Sequence, residues 1–392
     1  MSSTEKMIAG NTLVVHGVAS IKLSEGKASI LGCPIAPRKH ILVRPQRALP
    51  IYAETDIEVE ITQDEESKVE RYERNTIPEN WATVSSQVAR DHTKVMVVGK
   101  SDSGKSSFSC YLANFALLHG REVQLFDMDP GQASIGPPTT VSYAKISAPL
   151  YDPFTLYVDD ATHVGYTSPS HAVQSCVNAA KDLITKTAGA SSLAFSVIDS
   201  DGWVEGIEAE RYKAELIQTC GIDAAVFIDV PMTSFLPRGL MELNIEVFQV
   251  DKQTTLSSRG VDARRRLRSM GYRKYLKGAR VRTLPTSWIR IDLLTMPTEE
   301  SAKDYFREIC AQTEQQPTSP SKSRKGTADK DTGLLSYGYN GTGSFSGIGL
   351  VEDIDSNGDH LRIFTPINGK IERLVLGRMI LDRDGVEIYS VR

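Results

Sequence analysis

Gly99, Gly104, Lys105 and Ser106 stand in the spacing G-x-x-x-x-G-K-S within the stretch GKSDSGKSS. These residue types at this spacing suit a polyphosphate. Glycines let the backbone turn so that successive N–H groups point inward, the lysine reaches the β and γ phosphates, and the serine hydroxyl is a ligand for Mg²⁺. Ser101, Asp102, Ser103 and Ser107 complete the cradle. The context agrees, since the apolar run KVMVVG precedes the motif and FSCYLANFALLHG follows it. The pattern predicts a strand, a loop and a helix from Ser106 to His119 that ends at Gly120.

Further along, EVQLF runs straight into DMDPGQ, which puts Asp127 and Asp129 at the tip of a strand beside the loop. One carboxylate there can orient a metal while the other accepts a proton from an incoming hydroxyl. No Asn-Lys-x-Asp or Thr-Lys-x-Asp guanine reader occurs, so ATP, or a site unselective for the base, is expected. Residues 251–282 hold eleven Lys or Arg against two Asp, a local charge of +9 in a chain of net −4, so the rest sums to −13. Arginines there can stabilise transferring phosphate, and the surplus can track a phosphodiester backbone. Trp203, in VIDSDGWVEG, is either core or a platform for an unpaired base. Asp199 and Asp201 either cap a turn or contact ribose.

The elements that must position these residues fall into segments of different texture. Residues 1–77 alternate apolar and polar positions and read as a small all-β domain. Residues 78–312 carry short Val, Ile and Phe-rich runs (KVMVVG, EVQLFD, SLAFSVID, AAVFID, IEVFQVD) separated by helix-length stretches, the pattern of a doubly wound α/β domain, with the basic segment at 251–282 near its end. Residues 313–333 are almost devoid of apolar side chains and read as a flexible linker. Residues 334–392 return to alternation, with Asn357-Gly358 and Asp384-Gly385 as hairpin signals. The 392 residues are 40% apolar and 24% charged, and their five cysteines are scattered singly without metal-ligand spacing. No run of eighteen apolar residues and no secretory leader is visible, which places the chain in a reducing aqueous compartment: the cytoplasm, or the nucleus where there is one.

Taken together these stretches resemble the P-loop polynucleotide 5′-hydroxyl kinases of pre-mRNA cleavage, tRNA splicing and ribosomal-RNA processing, with their archaeal relatives. The resemblance covers nearly the whole chain. It rests on GKSDSGKSS, DMDPGQASIGPPTTVS, VIDSDGWVEG and SRGVDARRRLRSMGYRKYLKG. It implies a central P-loop domain flanked by small N- and C-terminal β domains, the first bordering the nucleotide, and transfer of the γ-phosphoryl of ATP to the 5′-hydroxyl of RNA, with DNA as a second acceptor. Lys105 and Ser106 match the ATP and Mg²⁺ ligands, with Asp127 as the companion metal ligand, and Asp129 matches the general base. Arg259 and Arg264 match lid arginines, Trp203 a clasp on the substrate strand, and Gln132, Thr139 and Thr140 lie toward the acceptor. Proteins of RNA processing are the implied partners, and no membrane is. Asp201 departs from the hydroxyl or Cys residue that eukaryotic members carry before Gly-Trp. An ATP-bound scaffold without catalysis is the alternative; retention of Lys105, Ser106, Asp129 and both arginines favours an enzyme.

Overall fold

The computed structural model describes residues 2–188, 194–255, 259–294, 331–355 and 357–390. Its centre is a seven-stranded sheet in the order Asp160–His163, Thr140–Ile146, Val123–Met128, Phe195–Ser200, Lys94–Gly99, Ala224–Ile228, Glu246–Val250. The last five strands are parallel, and the first two form an antiparallel extension that the sequence pattern does not announce. Side chains of Lys94–Gly99 alternate between two cores. Val95 and Val97 pack with Phe108 and Leu112, whereas Met96 and Val98 pack with Leu216 and Phe227. Burial on both faces is why these runs are continuously apolar. The carboxyl ends of Val123–Met128, Phe195–Ser200 and Lys94–Gly99 lie side by side, the place where open α/β sheets take ligands.

The first β domain is built from a four-stranded and a five-stranded antiparallel sheet that share one core. It docks on the outer face of the helix Lys105–Leu118, where the Asn114 amide donates to Leu31 O (2.9 Å) and Leu150 O (2.8 Å). Helix Glu79–Asp91 seals the junction: Trp81 packs edge-on against Phe108 and Tyr111, and its indole N–H donates to Asp251 O at 2.9 Å.

The C-terminal β domain begins earlier than the sequence texture suggests. Arg280–Pro285 pairs with His360–Thr365, and Arg290–Leu293 pairs with Arg373–Asp382, so both belong to the last sheet and not to the α/β domain. The reason is non-local: their partners lie some eighty residues further on. The linker read at 313–333 falls outside the described residues except for its last three, of which Thr332 and Gly333 already start the strand Thr332–Tyr339. Turns at Asn357-Gly358 and Asp384-Gly385 do join antiparallel strands, with both glycines at positive φ.

Candidate nucleotide and acceptor site

The loop of residues 99–107 closes in the form its glycines require. A Cβ on Gly99 would lie 2.4 Å from Ile228 O of the neighbouring strand, and Gly104 caps the helix Lys105–Leu118 with φ +100°, which favours glycine. Lys105 is buried, and its ammonium donates to Lys100 O at 2.8 Å across the loop. Burial lowers its pKa, opposed by Asp199 and Asp129. Above the loop lies a cavity of about 360 Å³, lined on one side by Lys105, Ser106, Asp129 and Gln132 and on the other by His16 and Arg47 of the first β domain.

Asp127 and Asp129 divide the work differently from the sequence reading. Asp127 accepts the N–H of Asp129 at Oδ1, and at Oδ2 the N–H and hydroxyl of Ser134 and the N–H of Ile135. Both oxygens are engaged in shaping the 129–135 turn, which makes this carboxylate a brace of the loop that carries Asp129. Burial, with Asp199 and Asp129 nearby, pushes its pKa up to about 7. Asp129 uses Oδ1 for the N–H groups of Gly131 and Gln132, both at 2.9 Å, and Oδ2 is uncommitted among the described residues. Burial raises its pKa, with Asp201 adding to the rise and Lys105 opposing it.

A third carboxylate near the loop, Asp199, keeps an oxygen free. It is the next-to-last residue of the strand Phe195–Ser200, which lies between the P-loop strand and Val123–Met128, and it stands directly across from Asp127. Its Oδ1 is buried with no hydrogen-bond partner. Burial lifts its pKa to about 6, while Lys105 and the Ser106 side chain hold it down. A buried, unpaired carboxylate oxygen beside a serine hydroxyl fits a Mg²⁺ ion, which binds through one or two protein oxygens plus water and phosphate. No group of three or more His, Cys, Asp or Glu that could hold a metal exists among the described residues, and Mg²⁺ of this kind needs none. Sequence reasoning notices Asp199 and leaves it between turn and ribose; its role depends on cross-strand register, which adjacent residues do not encode.

The lid lies on the loop itself. Asp102, at φ +59°, accepts the Arg259 N–H (3.0 Å) and its guanidinium (3.3 Å), and also Arg264 (3.1 Å). The Asp102 side chain therefore holds the two lid arginines, leaving only its backbone N–H for a phosphate. The rest of the basic segment is mostly spent on the protein. Arg268 grips Glu387 of the C-terminal domain, Lys274 donates to Ile135 O and Leu156 O, and Arg280 and Arg282 bind the 367–369 turn. Arg266 and Lys277 stay exposed. The +9 is thus chiefly interdomain glue, a narrower role than a polynucleotide track.

Trp203 is partly buried, stacked on Tyr212 with centroids 5.8 Å apart, and outside the cavity lining. Its loop nevertheless touches the nucleotide loop, since a Cβ on Gly202 would meet Ser101 Oγ at 2.3 Å. Asp201 fixes that loop through a buried ion pair with Lys213 (2.5 Å) and by accepting the Trp203 N–H (2.9 Å). The departure from a hydroxyl at Asp201 is matched by this lysine. Thr139 and Thr140 are buried, with hydroxyls bound to Pro138 O, Tyr337 and Pro137 O. Thr139 ties this loop to the C-terminal domain, Thr140 closes the loop on itself, and neither lines the cavity.

The fold and the pocket define a P-loop nucleoside-triphosphate-binding protein with Asp129 in the lining of its cavity. Residues 99–278 match the family described as the mRNA cleavage and polyadenylation factor CLP1 P-loop. A polyribonucleotide 5′-hydroxyl-kinase of Thermococcus kodakarensis is 25% identical over 324 residues, 76% of this chain and 91% of the relative. The Clp1 polyribonucleotide 5′-hydroxyl-kinase of Danio rerio is 28% identical over 198 residues, 48% and 44% of the two chains. A solved Clp1p–Pcf11p complex shares the fold, with a TM-score of 0.70 at 14% identity over 96% of this chain and 97% of that one. The central P-loop domain, residues 99–278, matches that family, and similarity to the archaeal polyribonucleotide 5′-hydroxyl-kinases extends over most of the chain. Among the described residues, no helix is long and apolar enough to cross a membrane.

Proposed function

We propose that the protein transfers the γ-phosphoryl group of ATP to the 5′-hydroxyl of RNA. The observation that carries this reading is Asp129: a carboxylate with one uncommitted oxygen and a raised pKa, at the rim of a phosphate cradle and coupled to Lys105. A protein that only held nucleotide would have no use for a base there. Asp129 takes the hydroxyl proton as the 5′ oxygen bonds to the γ phosphorus and the bond to the β-phosphate oxygen breaks, releasing ADP. Lys105 leaves the Lys100 carbonyl for the β and γ phosphates, and Arg259 and Arg264 leave Asp102 for the same charge. Mg²⁺, held by Ser106 and Asp199, would neutralise charge on the phosphate oxygens. Trp203 holds the strand that follows the reacting nucleotide.

Relatives named as polyribonucleotide kinases, one of them covered over 91% of its length, support RNA as acceptor. By likeness to Clp1p, solved with Pcf11p, a protein partner from RNA processing is part of the proposal. The test is label transfer from γ-labelled ATP to matched 5′-OH RNA and DNA oligonucleotides, with Lys105→Ala and Asp129→Asn as controls. Transfer to RNA that both substitutions remove is expected. ATP held tightly without transfer in the wild-type protein would overturn the reading in favour of a scaffold.

A further inference from the structure

The lid helix Val261–Leu276 has a root as well as a tip. Its tip carries Arg264, paired with Asp102 of the nucleotide loop, and its root, about 15 Å away at the rise of an α-helix, carries Lys274 and Tyr275. The root is seated closely, since a Cβ on Gly271 would come within 2.8 Å of the Pro138 ring. Lys274 fills a socket there. Its ammonium stands 4.9 Å from the ring centres of Phe154 and Tyr157 and 5.0 Å from that of Tyr275, and it donates to Ile135 O (2.9 Å) and to Leu156 O. Burial lowers its pKa to about 8, with Arg44 adding to the fall and Asp152 and Asp127 opposing it. Three rings would accept an apolar side chain of the same length without that desolvation, so what the ammonium adds is its directed hold on two carbonyls.

One of those carbonyls bears on the reaction. Ile135 ends the turn that Asp129 opens, and its N–H is gripped by Asp127 Oδ2 at 3.0 Å. Its carbonyl accepts from both Lys274 Nζ and the Tyr275 hydroxyl, each at 2.9 Å, and that hydroxyl in turn accepts the Val158 N–H (3.3 Å). The end of the Asp129 turn is therefore held twice, by a carboxylate of its own strand and by two donors of the lid helix.

We propose that Lys274 is a positioning residue for phosphoryl transfer: it joins the root of the lid helix to the Asp129 turn, so that the base and the lid arginines keep one fixed spacing. The inference rests on the reading of Asp129 as the base. When Arg259 and Arg264 leave Asp102 for phosphate, the tip of the helix moves; the root must stay, or the base moves with it. A misplacement of about 1 Å in such a constellation costs on the order of 10²-fold in rate. Lys274 does not line the cavity, so nucleotide binding in the ground state is not its business.

The experiment uses the full chain with Lys274→Met, which keeps the length and apolar fit of the side chain, and Tyr275→Phe, which removes one hydroxyl from the same carbonyl. Single-turnover transfer from ATP to a 5′-OH RNA oligonucleotide, ADP affinity by calorimetry and melting temperature are measured on each. Lys274→Met is expected to lower the transfer rate by about 10- to 100-fold, the worth of a charge-assisted hydrogen bond, with ADP affinity within about twofold of the wild type. Its melting temperature should hold, because Ile135 O keeps the Tyr275 donor and the socket stays filled. Tyr275→Phe should lose about 2- to 10-fold, again in rate alone. An unchanged rate in Lys274→Met overturns the proposal. So does a lower melting temperature with rate and ADP affinity falling together, which makes Lys274 a brace of the fold. Where Lys274→Met does not fold, the same split between rate and affinity in Tyr275→Phe decides. Absence of RNA labelling by the wild-type protein overturns the kinase reading itself, whereas wild-type labelling at a rate that Lys274→Met shares counts against this inference alone.

Discussion

Asp127 and Asp129 are two residues apart at the tip of one strand, and hydrogen bonds decide which of them can act. Asp127 has both oxygens committed to the turn that carries Asp129, whereas Asp129 keeps one free. Asp129→Asn should therefore lower phosphoryl transfer by roughly 10²- to 10⁴-fold, the ordinary worth of a general base, with ATP affinity retained. Single-turnover transfer and nucleotide binding, measured on the same preparation, check this; a variant with full activity removes Asp129 from the mechanism. Asp199→Asn should instead raise the Mg²⁺ concentration needed for half-maximal rate, which a metal titration reads directly. Both carboxyls act ionised, and burial lifts Asp199 to about 6 and raises Asp129 as well. Activity should accordingly fall as pH drops through that range, in a profile of kcat/KM against pH. Lys105, Ser106 and Asp129 are legible in the sequence because a phosphate loop and its strand-end carboxylate are defined by spacing along the chain. Asp199 and Lys274 are not, since one depends on strand register and the other on carbonyls far back in the chain.

At the level of elements, the apolar runs of the parallel core are readable because burial on both faces leaves a continuous signature. The strands Arg280–Pro285 and Arg290–Leu293 are misassigned because short, partly exposed edge segments look alike in either neighbouring domain. What the contacts add is coupling. The lid helix Val261–Leu276 is held to the loop by Asp102, and the Trp203 loop rests on Ser101 through Gly202. Asp102→Asn weakens the grip on Arg259 and Arg264, so amide exchange over 259–268 should quicken in the ligand-free protein. With a non-hydrolysable ATP analogue bound it should match the wild type, because phosphates then hold the arginines. Equal exchange in both ligand-free proteins would show that Asp102 does not hold the lid. Gly202→Ala would drive a Cβ into Ser101 and part the two loops, so affinity for ATP and for RNA should fall together, by about tenfold or more. A loss confined to RNA would mean that the Trp203 loop moves without disturbing the nucleotide.

Across the whole molecule, two β domains clamp the P-loop domain, and where the C-terminal clamp meets the central sheet lies a histidine that protonation works against. His163 closes the sheet edge at Asp160–His163 and faces Tyr337 and Tyr339 of the last domain. Its backbone N–H donates to the Tyr339 hydroxyl (3.1 Å), and that hydroxyl lies 2.8 Å from Nδ1, to which it can donate when Nδ1 of a neutral ring is unprotonated. Burial, with Arg373 nearby, depresses the pKa from 6.5 to about 4. Because the folded value lies below the unfolded one, the contribution of His163 to stability is complete above pH 6.5 and is lost as pH falls toward 4. At pH ~5 the unfolded chain has taken up a proton that the folded chain refuses, a loss of about 2 kcal/mol. His163→Gln keeps an acceptor for Tyr339 and cannot be protonated. Its stability should therefore decline less between pH 7 and 5 than that of the wild type, by about that amount in denaturant titrations at the two pH values. The difference between the proteins is the decisive quantity, since it cancels the other carboxyls that titrate in the same window. Parallel pH curves would mean that the imidazole does not titrate against folding and that acid acts elsewhere.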